Sequence, residues 1–237
     1  MPRCTSPALP MVLATIALFA PAAAAAAPAP EGDPTVARFV EWAPAPGAEA
    51  AFREGYIRHL DWHRRNRDPW TWHGWFVASG DRLGTFIDGS FGHTWERLDH
   101  PVAPTEDRAD NARNVYPHAD VLLSVHLVRL PEHSAGDEQE ALLSPLLTTL
   151  RLRDAVDAEA MWAALDRVLS GIPRQAYRVV GGPEQTWLLA LPHADWAGFG
   201  RIEAAIGRWR ERPGPGGADA RIETLRRDPA MSYAPGS

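Results

Sequence analysis

The chain is poor in the residues that usually announce a chemistry. It has one cysteine, Cys4, among 237 residues, so neither a disulfide framework nor a cysteine-based zinc site can form. It has no lysine. All 24 basic side chains are arginines, set against 30 acidic ones, for a formal charge of −6. Without a basic excess nothing points to nucleic acid as a partner. There is no G-x-S-x-G nucleophile elbow, no P-loop, no G-x-G-x-x-G after a strand and no H-x-E deaminase signature. What is present is ordinary for a soluble globular protein: 45% apolar and 23% charged residues. That balance excludes collagen-like, wholly disordered and polytopic membrane classes. The length allows one large domain or two small ones.

Residues 1–27 carry one arginine, an apolar stretch from Met11 to Ala20, and small residues of A-x-A character near Ala25–Ala27. That is the pattern of a cleaved secretory signal, which places the mature chain in the periplasm or outside the cell. The stretch is short for a bilayer span of about 20 residues, and Pro21 interrupts it. An uncleaved anchor is the alternative. Cleavage would remove Arg3 and Cys4. Residues 28–35 read as a flexible tether.

The remainder reads as one pattern written twice. Ala48, Glu49, Ala50 and Phe52 lie over Ala158, Glu159, Ala160 and Trp162 at an offset of 110. Residues 75–80 lie over 177–182 at 102, and 85–95 over 186–196 at 101, with Thr85/Thr186 and Trp95/Trp196 identical. R-x-P-x-x-S recurs as Arg129, Pro131, Ser134 and as Arg227, Pro229, Ser232, at 98. The offset changes only between blocks, as loop insertions would change it. These matches divide the chain into a first repeat over 36–131, a linker over 132–146 and a second repeat over 147–234.

Residues 37–43 alternate and are β-rich, which predicts a strand. Phe52, Tyr56, His59 and His63 fall at helical spacing within 48–66. Apolar runs at 71–78 and 85–89 flank Ser79-Gly80-Asp81, a hairpin signal. Their second-copy counterparts are 174–181 and 186–191, joined at Gly182-Pro183. A helix over 105–116, with Thr105 as candidate N-cap, and a strand over 119–130 complete the unit. Residues 200–212 and 219–226 match them. The order is β-α-β-β-α-β, a ferredoxin-like unit. The fold class is therefore α+β, with two such repeats forming a pseudo-symmetric α/β barrel.

In this element order and duplication, the chain over about residues 36–234 resembles the dimeric α/β-barrel superfamily in a tandem, single-chain form. That superfamily includes antibiotic-biosynthesis-type monooxygenases, NIPSNAP-like proteins, stress-responsive barrel proteins and chlorite-dismutase-like haem proteins. The resemblance implies fold more than activity.

In such a barrel one face of each sheet meets helices and the other lines the interior. Val40 and Trp42 align with the apolar Leu150 and Leu152, so Glu41, Arg151 and Arg153 should face inward. On the last strand of the first repeat, Val121, Leu123, Val125 and Leu127 form the continuous apolar set and are assigned to the helices. Ser124 and His126 are then interior. Glu223, Arg221 and Arg178, opposite Phe76, join them. Buried charges are costly unless paired. One reading is a network of satisfied ion pairs. The other is a pocket for a small polar or anionic molecule, clamped by Arg151, Arg153 and Arg178, with His126 as acid/base beside Glu41.

His59 and His63 stand one helical turn apart, a workable spacing for a metal or for haem. Haem-binding relatives of the resembled superfamily use a helix histidine facing the sheet in a similar way. The second copy has Leu169 at the His59 position. The alternative is a pair of hydrogen-bonded or solvated histidines. Ten tryptophans are many, and Trp72 and Trp75 lie in an eight-residue excess of the first copy that reads as core packing or as an aromatic ligand-binding lip. Trp95 and Trp196 read as hydrophobic anchors, the acidic pair Asp137-Glu138 as solvated linker charge, and the Pro- and Gly-rich 213–217 as a loop. The leading expectation is an exported small-molecule-binding protein without a cofactor. A monooxygenase-like or haem-handling enzyme and a ligand-free structural protein are the alternatives. A homodimer is a candidate assembly, with no membrane contact after signal cleavage.

Overall fold

A computed structural model describes residues 35–182, 185–211 and 219–236. The expected signal over 1–27, the tether up to residue 34, the turn residue Pro183 and the loop over 213–217 lie outside the described residues.

Strand alternation organises the molecule from its first element. β1 (Val36–Pro44) turns Val40 and Trp42 toward one apolar cluster and Ala37 and Phe39 toward another. α1 (Glu49–Arg65) follows and buries Phe52, Tyr56, His59 and His63, the stripe its spacing predicts. The hairpin β2 (His73–Ser79) and β3 (Phe86–His93) comes next. After a short α2 (Trp95–Leu98), Pro104 opens α3 (Pro104–Asn114), where its missing N–H costs nothing. β4 (Ala119–Arg129) ends the first half. The second half runs through α4 (Glu138–Leu143), β5 (Leu146–Arg153), α5 (Ala158–Val168), β6 (Gln175–Val180), β7 (Thr186–His193), α6 (Trp196–Arg210) and β8 (Asp219–Arg227).

The eight strands pair antiparallel and close into a barrel in the order β1-β3-β2-β8-β5-β7-β6-β4. Closure leaves no edge strand open to solvent pairing. An eight-stranded barrel is just wide enough to be filled by side chains or to hold one small ligand. Here the inside is largely filled, with Phe39, Trp75, Ile87, Leu127, Tyr177 and Leu188 in one cluster. Outside, α1 packs on Val40, Trp42 and Phe86, and α5 and α6 pack on Leu150, Leu152 and Leu189.

The two seams are closed by the repeated R-x-P-x-x-S. Pro131 and Pro229 each start a single 3-10 turn. Ser134 Oγ donates to Leu130 O and accepts from Ala176 N, at 2.8 and 3.0 Å. Ser232 Oγ donates to Asp228 O and accepts from Gly74 N, again at 2.8 and 3.0 Å. The same stitch thus binds β4 to β6 and β8 to β2.

Several expectations are corrected. The inward set of β4 is Val125 and Leu127, packed in the barrel, with Leu123 beside them. Ser124 and His126 therefore face outward, and His126 touches the Trp95 ring at 5.3 Å between centroids. The cause is twofold. The interior of a closed barrel is itself apolar, so alternation alone cannot separate it from the helix side. The β1–β4 register also shifts between Glu41 and Trp42, pairing Glu41 with Leu123 but Trp42 with Val121. Arg178 likewise is exposed on the outer face, while its neighbour Tyr177 points inward. The acidic pair of the linker divides: Asp137 is exposed, as expected, and Glu138 is half-buried. Asp137 caps α4, Leu142 enters the barrel cluster, and Glu138 Oε1 accepts from Tyr177 Oη at 2.8 Å. Trp95 and Trp196 are not buried anchors, since each is 51% exposed.

Candidate functional site

Two places gather chemistry-bearing side chains, on opposite faces of the β1–β3 sheet. Inside the barrel, Glu41 and Glu223 are both buried, as strand parity predicts. Their partners decide the arrangement. Arg151, from β5, pairs with Glu41. Arg82, from the β2–β3 turn, pairs with both Glu41 and Glu223, its Nε donating to Glu223 Oε1 at 2.9 Å. Burial works against the Arg82 charge, but the two carboxylates outweigh it and raise its pKa. Sequence reasoning missed Arg82 because it lies in a turn, where an arginine is ordinarily solvated. Arg153 sits toward the rim and pairs with Asp219.

Beside this cluster is a chamber of about 180 Å³. Its wall is mainly apolar, including Phe39, Val125, Leu127 and Leu188, with Arg151, Arg153 and Thr186 as polar points. Trp75 is buried elsewhere in the same interior, and its Nε1 has no hydrogen-bond partner. Trp72 lies on the other side of the sheet, in the cluster under α1. The two tryptophans do not form one lip, because residues three apart on a strand face opposite ways. Of the expected interior set, the structure brings Glu41, Arg151, Arg153 and Glu223 to the barrel. It leaves Ser124, His126 and Arg178 outside.

Under α1 the second place is built of rings and carboxylates. His59 Nδ1 is 2.9 Å from Asp110 Oδ2. His63 Nδ1 is 2.6 Å from Asp68 Oδ2, which also accepts from Trp72 Nε1 at 3.0 Å. Asp107, Asp110, Asn111 and Asn114 of α3 form a polar stripe at i, i+3, i+4, i+7, facing α1 where an apolar stripe would be usual. α3 can come this close because position 55 is glycine: a Cβ there would meet Asn114 O at 1.8 Å. Burial, reinforced by the adjacent His63, lowers the His59 pKa and favours the neutral ring. Asp88 accepts from Trp42 Nε1 at 2.7 Å through Oδ2, while its buried Oδ1 has no hydrogen-bond partner. The stripe on α3 was the sequence signal that could have pointed here.

No family model matches the chain, and no curated protein matches it. Solved structures do. A proposed monooxygenase from Lactobacillus acidophilus NCFM superposes with a TM-score of 0.53 at 12% identity, over 86% of this chain and 97% of that one. The chlorite dismutase of Candidatus Nitrospira defluvii, as an arginine variant, gives 0.52 at 10% identity, over 83% and 92%. Haem, which the sequence resemblance brings into question, does not fit beside His59 and His63. The free space there is about 20 Å³, against several hundred for the pocket of a drug-sized ligand. Trp42, Tyr56 and Trp72 occupy the rest. At such identities the likeness concerns architecture alone, and it shows that this chain has the α+β fold of the chlorite-dismutase-like and monooxygenase-like barrels.

Proposed function

We propose that the protein takes a small molecule with an apolar body and one anionic group into its barrel, and that its activity is monooxygenase-like. The chamber carries the reading. About 180 Å³ is close to an engineered cavity that accepts benzene, so it suits one ring or a short chain. Its apolar wall would take the body, and Arg151 and Arg153 would take the charge. Arg151 can turn to a ligand because Glu41 keeps a second partner in Arg82. His126, on the outer face, has no part in this reading. The reaction class is named after the proposed monooxygenase that shares the fold at 12% identity, a likeness of architecture. The leader pattern over 1–27 supports export to the periplasm or beyond, and the matched seams support an origin by duplication of a ferredoxin-like unit.

The test is calorimetric titration with small aromatic carboxylates, benzoate first. The folded wild type should bind at least one of them. Arg151→Gln should weaken binding by about tenfold or more, the loss of one charge-assisted contact. Leu188→Trp should abolish it by filling the chamber. If the wild type binds none of the series, or Leu188→Trp binds as well as the wild type, the chamber is not a ligand site.

A further inference from the structure

The cluster under α1 has a shortage of protons that its geometry makes countable. Carboxylates at neutral pH only accept, so His59 Nδ1 carries a hydrogen toward Asp110, and the 2.6 Å contact of His63 Nδ1 with Asp68, which lacks hydrogen-bond alignment, favours a hydrogen on that nitrogen too. In neutral rings the Nε2 atoms are then bare. These two bare nitrogens face each other across 3.1 Å. Asp107 Oδ1 lies 3.3 Å from the first and 3.8 Å from the second. Three lone-pair atoms thus converge on one point, and none of the three brings a hydrogen of its own. Asn111 Nδ2 touches the edge of the group, 3.0 Å from His59 Nε2 and 3.2 Å from Asp107 Oδ1. An amide of this kind can be reversed, which would turn its oxygen to the same point.

We propose that His59, His63 and Asp107 form a mononuclear site for a divalent first-row transition-metal ion, with Asn111 as a fourth ligand through its oxygen. The distances fit without movement. A triangle with sides of 3.1, 3.3 and 3.8 Å has a circumscribed circle of radius about 2.0 Å, and zinc bonds to imidazole nitrogen and carboxylate oxygen run about 2.0–2.2 Å. The space of about 20 Å³ holds an ion or water and little more. Asp110 and Asp68 supply what ligating histidines ordinarily have, a carboxylate on the other ring nitrogen that fixes tautomer and orientation. The charge balance also suits a cation: among the described residues the carboxyl groups of Asp68, Asp107 and Asp110, with Asp88, whose charge burial disfavours, stand against the guanidinium of Arg38 lining the pocket. Asp88 lines this pocket, and its Oδ1, without a hydrogen-bond partner among the described residues, would accept from a water on the ion. Two imidazoles with one carboxylate favour zinc, iron, nickel or copper over magnesium or calcium. Asp107 is 23% exposed, which gives the ion a way in. This site shares no residue with the barrel chamber and stands or falls independently of it.

The competing occupant is a proton shared between the two Nε2 atoms, and the experiment separates the two. The full chain is stripped with chelator and titrated with Co²⁺, then with Zn²⁺. One equivalent of Co²⁺ should bind with the visible absorption of a low-coordinate nitrogen–oxygen site, and Zn²⁺ should displace it. His63→Gln and Asp107→Asn should each weaken Zn²⁺ binding by about a hundredfold. Asp110→Asn, which leaves all ligands in place, should weaken it by about ten- to a hundredfold, with an unchanged far-ultraviolet circular dichroism spectrum. Asp107→Asn sits at the protein surface and keeps the test open if the histidine variant fails to fold. Binding of Zn²⁺ no tighter than millimolar would overturn the proposal. So would wild-type affinity in Asp107→Asn, or histidine nitrogen resonances that report a shared proton and do not move when Zn²⁺ is added.

Discussion

The two halves of the barrel fill the space beneath their helices in opposite ways. Below α5 and α6 the second half packs Met161, Leu165, Leu169, Ile202 and Ile206 into an apolar layer. Below α1 and α3 the first half has His59 where the second has Leu169, and Asp88 where it has Leu189. The strand pairings keep those equivalences, since Val40 opposes Asp88 as Leu150 opposes Leu189. An apolar layer needs nothing further to be stable. A buried polar layer is stable only if every member is satisfied. The first half therefore depends on pairing its buried polar groups, a demand that the apolar second half does not make.

The largest expected effect lies in the second half. Leu165 is fully buried, so Leu165→Ala should cost about 2–5 kcal/mol by chemical denaturation. A cost below about 1 kcal/mol would mean that the second half is no better packed than the first, and the contrast would break.

The next effect compares His73 with its counterpart Gln175. Both are buried on matched strands. Gln175 is satisfied at both ends, donating to Gly136 O and accepting from Arg129 Nε, each at 3.0 Å. Among the described residues neither ring nitrogen of His73 finds a hydrogen-bond partner, and Arg227 Nε finds none either. Burial first, and then the Arg227 charge, push His73 down to about 4. An unfolded histidine takes up its proton near 6.5, as approximated by model peptides. Between those values the unfolded chain binds more protons, so stability is intact above about pH 6.5 and falls as the pH drops toward about 4. The whole loss from His73 is about 3 kcal/mol. His73→Gln should remove that loss and give Arg227 Nε an acceptor, as in the other half. Thermal melts in chelator at pH about 7.5 and 4.5 check this. His93, also pushed to about 4 by burial and then by Arg97, remains in both proteins. The variant should therefore lose less stability than the wild type, not none. Equal losses would show that the two halves do not correspond here.

A smaller effect separates two helix glycines. Gly55→Ala forces a methyl group against the α3 backbone and should cost about 1–3 kcal/mol, with weakened Zn²⁺ binding as α3 moves away. At Gly207, in α6, an added Cβ meets nothing within 4 Å. Gly207→Ala should stabilise by about 0.4–1 kcal/mol. If both glycines behave alike, the close approach of α1 and α3 is not what assembles the cluster.

Legibility in the sequence followed the same division. The inward placing of Glu41, Arg151 and Glu223 could be read because their strands alternate cleanly against apolar counterparts. His126 and Arg178 were misplaced because, on β4 and β6, both faces of the strand carry residues that suit either side, and a register shift next to Glu41 is silent in one strand's own pattern. Arg82 and Asp107 were illegible for a different reason. A turn arginine and an aspartate on a polar helix look solvated until a distant element covers them.

Taken alone, the chain's own pattern determined element order and the helical pairing of His59 with His63. These rest on local periodicity and on matches between segments, which need no third dimension. Only tertiary structure decided which side of β4 and β6 became the inside, that a turn arginine would bridge two buried glutamates, and that α3 would bring Asp107 to the histidines. Those outcomes depend on barrel closure and on a glycine-permitted helix contact, both of which join residues remote in sequence, where spacing carries no information.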